Sequence, residues 1–418
     1  MEKLFEIRSE FHHLNQRRID LAVYRPIEPS ERTQIAVLAL HNSNYMSFPP
    51  AVELAKRGFL TAGAFLPPQH KDVEEWLADF KVLVEYMRHQ PGVKKLVLMG
   101  HSQGGCMTSC YQYIAENGAD RFLNQNRIIP FPEIGELPPA DGLMLLDANY
   151  GFMHVLALDP AAKSLTNGYE RIPELDLFNP DNGYSPLGSH YSREFQQRFQ
   201  RAQIRFYRNI LARAQEMYED IKKGKGAFSD DAPFLIAGGR GGSFNNKMFL
   251  HDNTLLSHTR GAYPIIHGDG SVSTQQIHTV RLPRDTFDPT TLQASVQETV
   301  LSILKNERRF ADNFGYDECS MWGVDNEFNY MSTIANVRGI HVPLLCGGNT
   351  GSHEFVQAEY NFENAASDDK EIFFVEGARH MFQPLTAAEK YPGEFGDTLA
   401  HAVSMIEAWL SEPGRFLN

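Results

Sequence analysis

The first 150 residues alternate between short apolar runs and segments in which apolar residues recur every three or four positions. The runs 35–40, 59–65 and 96–99 are typical of strands buried on both faces of a parallel sheet. Apolar residues in segment 72–89 fall on one side of a helix. The pattern predicts an α/β protein with a mostly parallel central sheet covered by helices.

This alternation stops at about residue 151 and returns at about residue 331. The stretch 151–330 instead predicts a long helix over 192–222 and a second helix over 291–306. We therefore expect a core formed by 1–150 and 331–418, interrupted by a large, mainly helical insertion, 151–330, that acts as a cap or lid. The long helix carries many arginines, which indicate either a solvated face or a patch for an acidic partner: Arg193, Arg198, Arg201, Arg205, Arg208 and Arg213.

Composition narrows the function classes. The chain has 418 residues, of which 42% are hydrophobic, so it is long enough for a large core. Its formal net charge of −13 argues against nucleic acid and anionic membrane surfaces as partners. No signal peptide and no 18-residue apolar run is evident, and four cysteines do not form a disulfide framework. We expect a cytoplasmic protein, and its oligomeric state stays open.

The sequence Gly100-His101-Ser102-Gln103-Gly104 carries the strongest chemical prediction. It follows an apolar strand and precedes a helical segment, which is the context of a nucleophile elbow. Small residues are needed there because the strand and helix backbones nearly touch. The pattern predicts that Ser102 is a nucleophile.

A serine nucleophile needs a base, and the base needs an orienting acid. His380 follows the last predicted strand, 371–375, and would lie at the same sheet edge as the elbow. For the acid, Glu354 is the first carboxylate after the strand 342–346 and is our first choice. Asp147, at the end of the strand 142–146, is its rival, and Glu359 is a weaker third candidate.

The tetrahedral intermediate also needs backbone N–H donors. We predict one from Gln103 and a second from Asn42 or Ser43, in the loop after the strand 35–40. No cofactor and no metal site is predicted, because His251, His258, His267 and His278 lack tight ligand spacing. The glycine-rich stretch 238–243 predicts a flexible turn.

These motifs resemble those of the α/β-hydrolase superfamily. The resemblance rests on His41-Asn42, on the elbow at Ser102 and on Gly377-Ala378-Arg379-His380, and it covers about 1–150 and 331–418. It implies an α/β-hydrolase fold with a cap inserted between the two parts. Two features depart from the pattern: Asn42 replaces the usual glycine, and no Gly-x-x-Asp follows Cys346.

The expected activity is that of a serine hydrolase which cleaves a carboxylic ester, a lactone or a related acyl bond through an acyl-enzyme on Ser102. The many Phe and Tyr residues of the insertion suggest a sizeable, partly aromatic small-molecule substrate. The same residues could support an amidase or peptidase, an acyltransferase or a C–C bond hydrolase. From other classes, a ligand-binding protein without catalysis and an interaction module built on the arginine-rich helix stay open.

Overall fold

A computed structural model describes residues 4–14, 17–66, 72–151, 158–237, 249, 251–283 and 295–417. Its strands, in chain order, are β1 (Ile7–Leu14), β2 (Ile19–Pro26), β3 (Ile35–Leu40), β4 (Leu60–Phe65), β5 (Lys95–His101), β6 (Gly142–Leu146), β7 (Ala162–Ser164), β8 (Asn167–Arg171), β9 (Pro233–Ala237), β10 (His258–Ile266), β11 (Val272–His278), β12 (Ser295–Thr299), β13 (Phe310–Tyr316), β14 (Met321–Val324), β15 (Leu344–Asn349) and β16 (Lys370–Val375). Its α-helices are α1 (Pro49–Lys56), α2 (Val73–Arg88), α3 (Gln103–Asn117), α4 (Asp120–Leu123), α5 (Arg193–Lys222), α6 (Val300–Lys305), α7 (Thr333–Asn336), α8 (Val356–Asn364) and α9 (Thr398–Leu410).

Ten of these strands form the central sheet, in the order β1-β2-β4-β3-β5-β6-β15-β16-β10-β11. From β4 to β10 every neighbouring pair is parallel, whereas β1, β2 and β11 run antiparallel to their neighbours. All six residues of β3 and of β15 are buried, as the continuous apolar run 35–40 predicts. The expected mostly parallel sheet is therefore confirmed.

Helices cover both faces of this sheet. Apolar residues of α2, α3 and α8 belong to one buried cluster, while those of α1 and α9 pack with the opposite face. The helix predicted over 72–89 is α2, whose apolar stripe includes Trp76, Phe80 and Leu83. Since the carboxyl ends of β3, β5, β6, β15 and β16 point to one edge, the loops that follow them meet there.

The inserted stretch 151–330 differs from expectation in two ways. It is not mainly helical, because among its described residues α5 and α6 are accompanied by three two-stranded sheets: β7–β8, β9–β12 and β13–β14. It is also not wholly a cap, because β10 and β11 extend the central sheet beside β16. The insertion contributes strands to the central sheet through pairing between distant parts of the chain. Local periodicity in the sequence does not report such pairing.

The helix expected over 291–306 is wrong for the first part of its described residues, 295–306. Residues 295–299 form strand β12, and only Val300–Lys305 are helical. Thr299 ends the strand and caps the helix, because its hydroxyl accepts a hydrogen bond from the Ser302 N–H at 3.1 Å. The glycine-rich stretch 238–243 lies outside the described residues.

No helix in the described part of the chain combines the length and the apolar character needed to cross a bilayer. Even α5, at 30 residues, carries charged side chains along its whole length.

The close contact between β3 and α3 gives a test of the fold. A Cβ on Gly104 would lie 2.0 Å from the carbonyl oxygen of Leu40, so Gly104→Ala must displace backbone. We expect a loss of about 2 kcal/mol or more in the free energy of unfolding, measured by urea denaturation. Gly135→Ala is the matched control, because no heavy atom lies within 4 Å of its Cβ position. Equal stability of the two variants would contradict the packing described for this turn.

Candidate active site

Ser102 occupies a strained turn between β5 and α3. Its φ of 55° and ψ of −128° are rarely adopted by residues with a side chain, and such strain is concentrated at functional sites. A Cβ on Gly100 would lie 2.1 Å from Thr108 Oγ1, and Gly104 is equally close to the Leu40 carbonyl oxygen. The turn needs glycine at both positions, as the close backbone contacts of the predicted elbow require.

The backbone of Ser102 forms hydrogen bonds with residues on both sides of Asp147 in the sequence. The N–H of Ser102 donates to the Leu146 carbonyl at 3.3 Å, and its own carbonyl accepts from the Asn149 N–H at 2.9 Å. Asp147 itself has a φ of 45°, a second strained position directly after β6. The elbow and the end of β6 therefore form one unit, with the Asp147 carboxylate beside the serine turn.

His380 lies in the loop after β16, and its ring contacts this carboxylate. Nδ1 of His380 lies 2.5 Å from Oδ2 of Asp147, whose side chain is fully buried. An ionised carboxylate can only accept, so Nδ1 carries the proton and donates. Nε2 is left as an acceptor, which is the tautomer that a general base for a serine requires.

The structure thus favours the rival acid, Asp147, over Glu354. Glu354 lies in the loop ahead of α8, and its buried carboxylate lies 3.3 Å from Nε2 of His353. Glu359 has a structural role, because it accepts hydrogen bonds from the backbone N–H groups of Arg260 and Gly261, at 3.0 and 2.8 Å. A residue directly at the end of β6 stays at the sheet edge, whereas the longer loop after β15 carries Glu354 towards α8.

Two neighbours stabilise the charged form of Asp147. Burial raises the pKa of its carboxyl, while hydrogen bonds from Ser352 and from the Asn349 N–H oppose that shift. Ser352 Oγ also lies 3.3 Å from Nδ1 of His380. Neither residue could be singled out from the sequence, because a hydroxyl and a backbone amide in a polar loop carry no distinctive pattern.

The predicted oxyanion residues come together at the start of α3. Gln103 is the first residue of α3, where backbone N–H groups have no partner within the helix. The side-chain amide of Asn42 donates to Oε1 of Gln103 at 3.3 Å, and this hydrogen bond joins the loop after β3 to the elbow. The N–H of Ser43, however, donates to Nδ1 of His41 at 3.0 Å. Of the two alternatives for the second donor, the structure favours Asn42.

His101 is a further residue in contact with the candidate site, and the sequence pattern did not identify it. It is fully buried, and its Nε2 lies 2.8 Å from the carbonyl oxygen of His380. Its position next to Ser102 was the available signal. Burial, followed by repulsion from His380, lowers the pKa of His101 to about 3.

The order of these features along the sheet decides the architecture. The serine turn follows β5, Asp147 follows β6 and His380 follows β16, all at the carboxyl edge of a parallel sheet. The chain has the α/β-hydrolase fold. Along the chain, the stretch 151–330 is inserted between β6 and β15.

Comparisons with known proteins add little to this assignment. No family model and no curated protein matches the sequence. Solved structures similar to the chain include a siderophore hydrolase, EstB, from Aspergillus fumigatus (10% identity, 97% of each chain, TM-score 0.41). Others are a soluble variant of monoglyceride lipase from Saccharomyces cerevisiae (11%, 97% of this chain and 96% of that one, 0.43) and the α/β hydrolase GrgF from Penicillium sp. sh18 (11%, 98% and 99%, 0.40). The assignment rests on strand order and on the elbow.

The buried neutral His101 predicts a pH dependence of stability. An unfolded histidine has a pKa of about 6.5. Since the folded pKa is about 3, the unfolded chain binds one more proton between these values. This histidine therefore lowers stability as pH falls through the window, by up to about 1.4 kcal/mol per pH unit. Urea unfolding between pH 7 and 5 measures the slope, and His101→Gln should reduce it. An unchanged slope in the variant would contradict burial of a neutral imidazole.

Proposed function

We propose that the protein is a serine hydrolase that cleaves a carboxylic ester or lactone of a small molecule through an acyl-enzyme on Ser102. The observation that carries the proposal is the contact of His380 with buried Asp147, beside the strained turn of Ser102. A serine held in such a turn is of little use as a nucleophile without a base of fixed tautomer, and here the turn and the histidine lie at one sheet edge.

Each residue has a defined part in the proposed reaction. Ser102 Oγ attacks the carbonyl carbon while its proton passes to Nε2 of His380, and Asp147 stabilises the imidazolium that results. The N–H groups of Gln103 and Asn42 bind the oxyanion. The proton then moves from His380 to the leaving alcohol, which departs. Water, deprotonated by His380, attacks the acyl-enzyme, and His380 returns the proton to Ser102 Oγ as the bond between that oxygen and the acyl carbon breaks and the acid is released.

The substrate's aromatic character receives less support than the bond class. Four aromatic side chains of the insertion, Tyr191, Phe195, Phe199 and Phe249, are buried and pack on one another. They form a core of the insertion and so do not by themselves select an aromatic ligand. The proposal for the substrate is therefore a small acyl compound, with amides, acyl acceptors other than water and C–C bonds as variants of the same chemistry.

A non-catalytic binding protein is a weaker candidate. Binding alone requires neither strain at Ser102 nor a proton fixed on Nδ1 of His380. The interaction module built on the arginine-rich helix is also weaker, because three of its arginines have partners within the chain. Arg198 donates to the Glu174 carbonyl, and Arg208 and Arg213 form ion pairs with Asp312 and Glu216.

Labelling by a fluorophosphonate tests whether Ser102 is activated. We expect one adduct per chain in the intact mass, mapped to Ser102 and absent from Ser102→Ala and His380→Ala.

The chain offers a matched control in Ser273. Its Oγ lies 2.7 Å from Nε2 of His267, whose Nδ1 lies 2.8 Å from Glu376 Oε2. These three residues also form a serine–histidine–carboxylate series, but Ser273 lies in the extended strand β11, without an elbow or a helix N-terminus to supply oxyanion donors. Ser273→Ala should label like the wild type. A label on Ser273, or one that persists in Ser102→Ala, would contradict the proposal.

Two isosteric substitutions test which carboxylate is the acid. Asp147→Asn should lower kcat for an ester substrate by about 10³- to 10⁴-fold, because the amide no longer fixes the imidazole tautomer. Glu354→Gln should have a far smaller effect, and circular dichroism would show that both variants are folded. The assignment fails if Glu354→Gln abolishes turnover while Asp147→Asn retains it.

A further inference from the structure

Tyr45 contacts two of the loops that form the candidate site. It lies in the loop between β3 and α1, and it is almost fully buried. Its phenol oxygen lies 2.6 Å from Nδ1 of His101. Its ring stacks on that of His41, with centroids 4.3 Å apart and planes within 5° of each other. The loop that supplies Asn42 is therefore tied to the elbow by one side chain.

The proton positions in this chain of contacts are fixed. Nε2 of His101 faces the carbonyl oxygen of His380, which can only accept, so Nε2 carries a hydrogen. A neutral imidazole then has an acceptor at Nδ1, and the hydroxyl of Tyr45 must donate to it. His101 stays neutral because of its low pKa, and burial raises the pKa of Tyr45, so the phenol keeps its proton. The direction of both hydrogen bonds is thus the same across the physiological pH range.

We propose that Tyr45 and His101 are positioning residues, which hold the backbone of His380 through the directed chain from the Tyr45 hydroxyl to His101 to the His380 carbonyl. The inference rests on the proposed function of Ser102 and His380. Asp147 fixes the orientation of the His380 ring, and His101 fixes the backbone from which that ring extends. His101 is next to Ser102. The dipeptide His101-Ser102 therefore contains the proposed nucleophile and also the side chain that positions the proposed base, His380.

The surroundings of Tyr45 show how the fold sets the start of this chain. The N–H of Tyr45 donates to the Ala64 carbonyl on β4 at 3.0 Å. A Cβ on Gly63 would lie 1.9 Å from the Tyr45 carbonyl oxygen, so only glycine permits this approach. The Tyr45 backbone is therefore anchored on the central sheet.

A neutral His101 also suits the proposed chemistry. Its ring centroid lies 4.5 Å from that of His380, which becomes positively charged when it takes the serine proton. A second positive charge at this distance would oppose that step. The Tyr45 hydroxyl donates a hydrogen bond to Nδ1 of His101 and does not take a proton from it. The chain of hydrogen bonds therefore positions His380 without placing a second charge beside it.

Tyr45→Phe removes the hydroxyl while it keeps the stacked ring. We expect the rate of fluorophosphonate labelling, and kcat for an ester, to fall by about tenfold to a hundredfold with KM nearly unchanged, because the base is misplaced. Tyr24→Phe is the matched control. Tyr24 is also buried, and its hydroxyl donates to the Met46 carbonyl of the same loop at 2.8 Å, but it does not contact His101. Its labelling rate should equal that of the wild type.

Substitutions of His101 separate hydrogen bonding from packing. His101→Gln can still accept from Tyr45 and donate to the His380 carbonyl, so it should retain more activity than His101→Phe, which fills the space without either bond. Equal losses in these two variants, with both folded, would overturn the proposal.

Nitrogen NMR of the His101 ring gives a readout that does not depend on activity. In the wild type the proton should be on Nε2 alone. The His380 carbonyl keeps it there in Tyr45→Phe, but the Nδ1 resonance should move because that nitrogen loses its hydrogen-bond donor. A proton on Nδ1 in the wild type would overturn the proposed chain of hydrogen bonds. So would labelling rates and an Nδ1 resonance that are unchanged in Tyr45→Phe. Wild-type protein that does not label at Ser102 would instead overturn the proposed function, and the tautomer would still decide the hydrogen-bond chain.

Discussion

The carboxylate of Asp147 is shielded from water, and a charge in such a place is stable only with strong hydrogen-bond partners. His380 supplies one of them, and the backbone N–H of Asn349 supplies another. The requirement acts in both directions, because the carboxylate that needs a donor also fixes the proton of the imidazole on Nδ1. The proposed chemistry depends on this pair, since it makes Nε2 of His380 available to a serine.

The fold produces this pair through the common edge of parallel strands. β5, β6 and β16 end at the same edge, so three residues distant in sequence, Ser102, Asp147 and His380, extend from one surface. Close approach of α3 to β3 and β5 then strains the turn at Ser102. Stability and proposed function are linked here, because the contacts that exclude a side chain at Gly104 also set the position of Ser102.

The sequence predicted the parts of the site that depend on local geometry. The elbow could be identified because close backbone contact restricts its flanking residues to glycine, and His380 because it follows a recognisable buried strand. The acid was different. Asp147 and Glu354 both follow predicted strands, and only the path of the two loops in space distinguishes them. The addition of β10 and β11 to the sheet was missed for a similar reason, since pairing with β16 joins residues more than 100 positions apart.

A buried histidine, His101, also helps to fix the geometry of the candidate site. His101 is held neutral between the phenol of Tyr45 and a backbone carbonyl, in contact with the loop that carries His380. Fixed donors and acceptors of this kind avoid the reorganisation that water would require when charge develops. The cost is a buried imidazole that favours the unfolded state in acid, which links the stability of the protein to the arrangement of its site.

A crystal structure of the protein after reaction with a small phosphonate would show whether Ser102, His380 and Asp147 act together. We expect a covalent bond between phosphorus and Ser102 Oγ, a phosphoryl oxygen that accepts from the Gln103 N–H, and Nδ1 of His380 still hydrogen-bonded to Asp147. Phosphorus on another residue, or a His380 ring that has left Asp147 for a different carboxylate, would contradict this expectation.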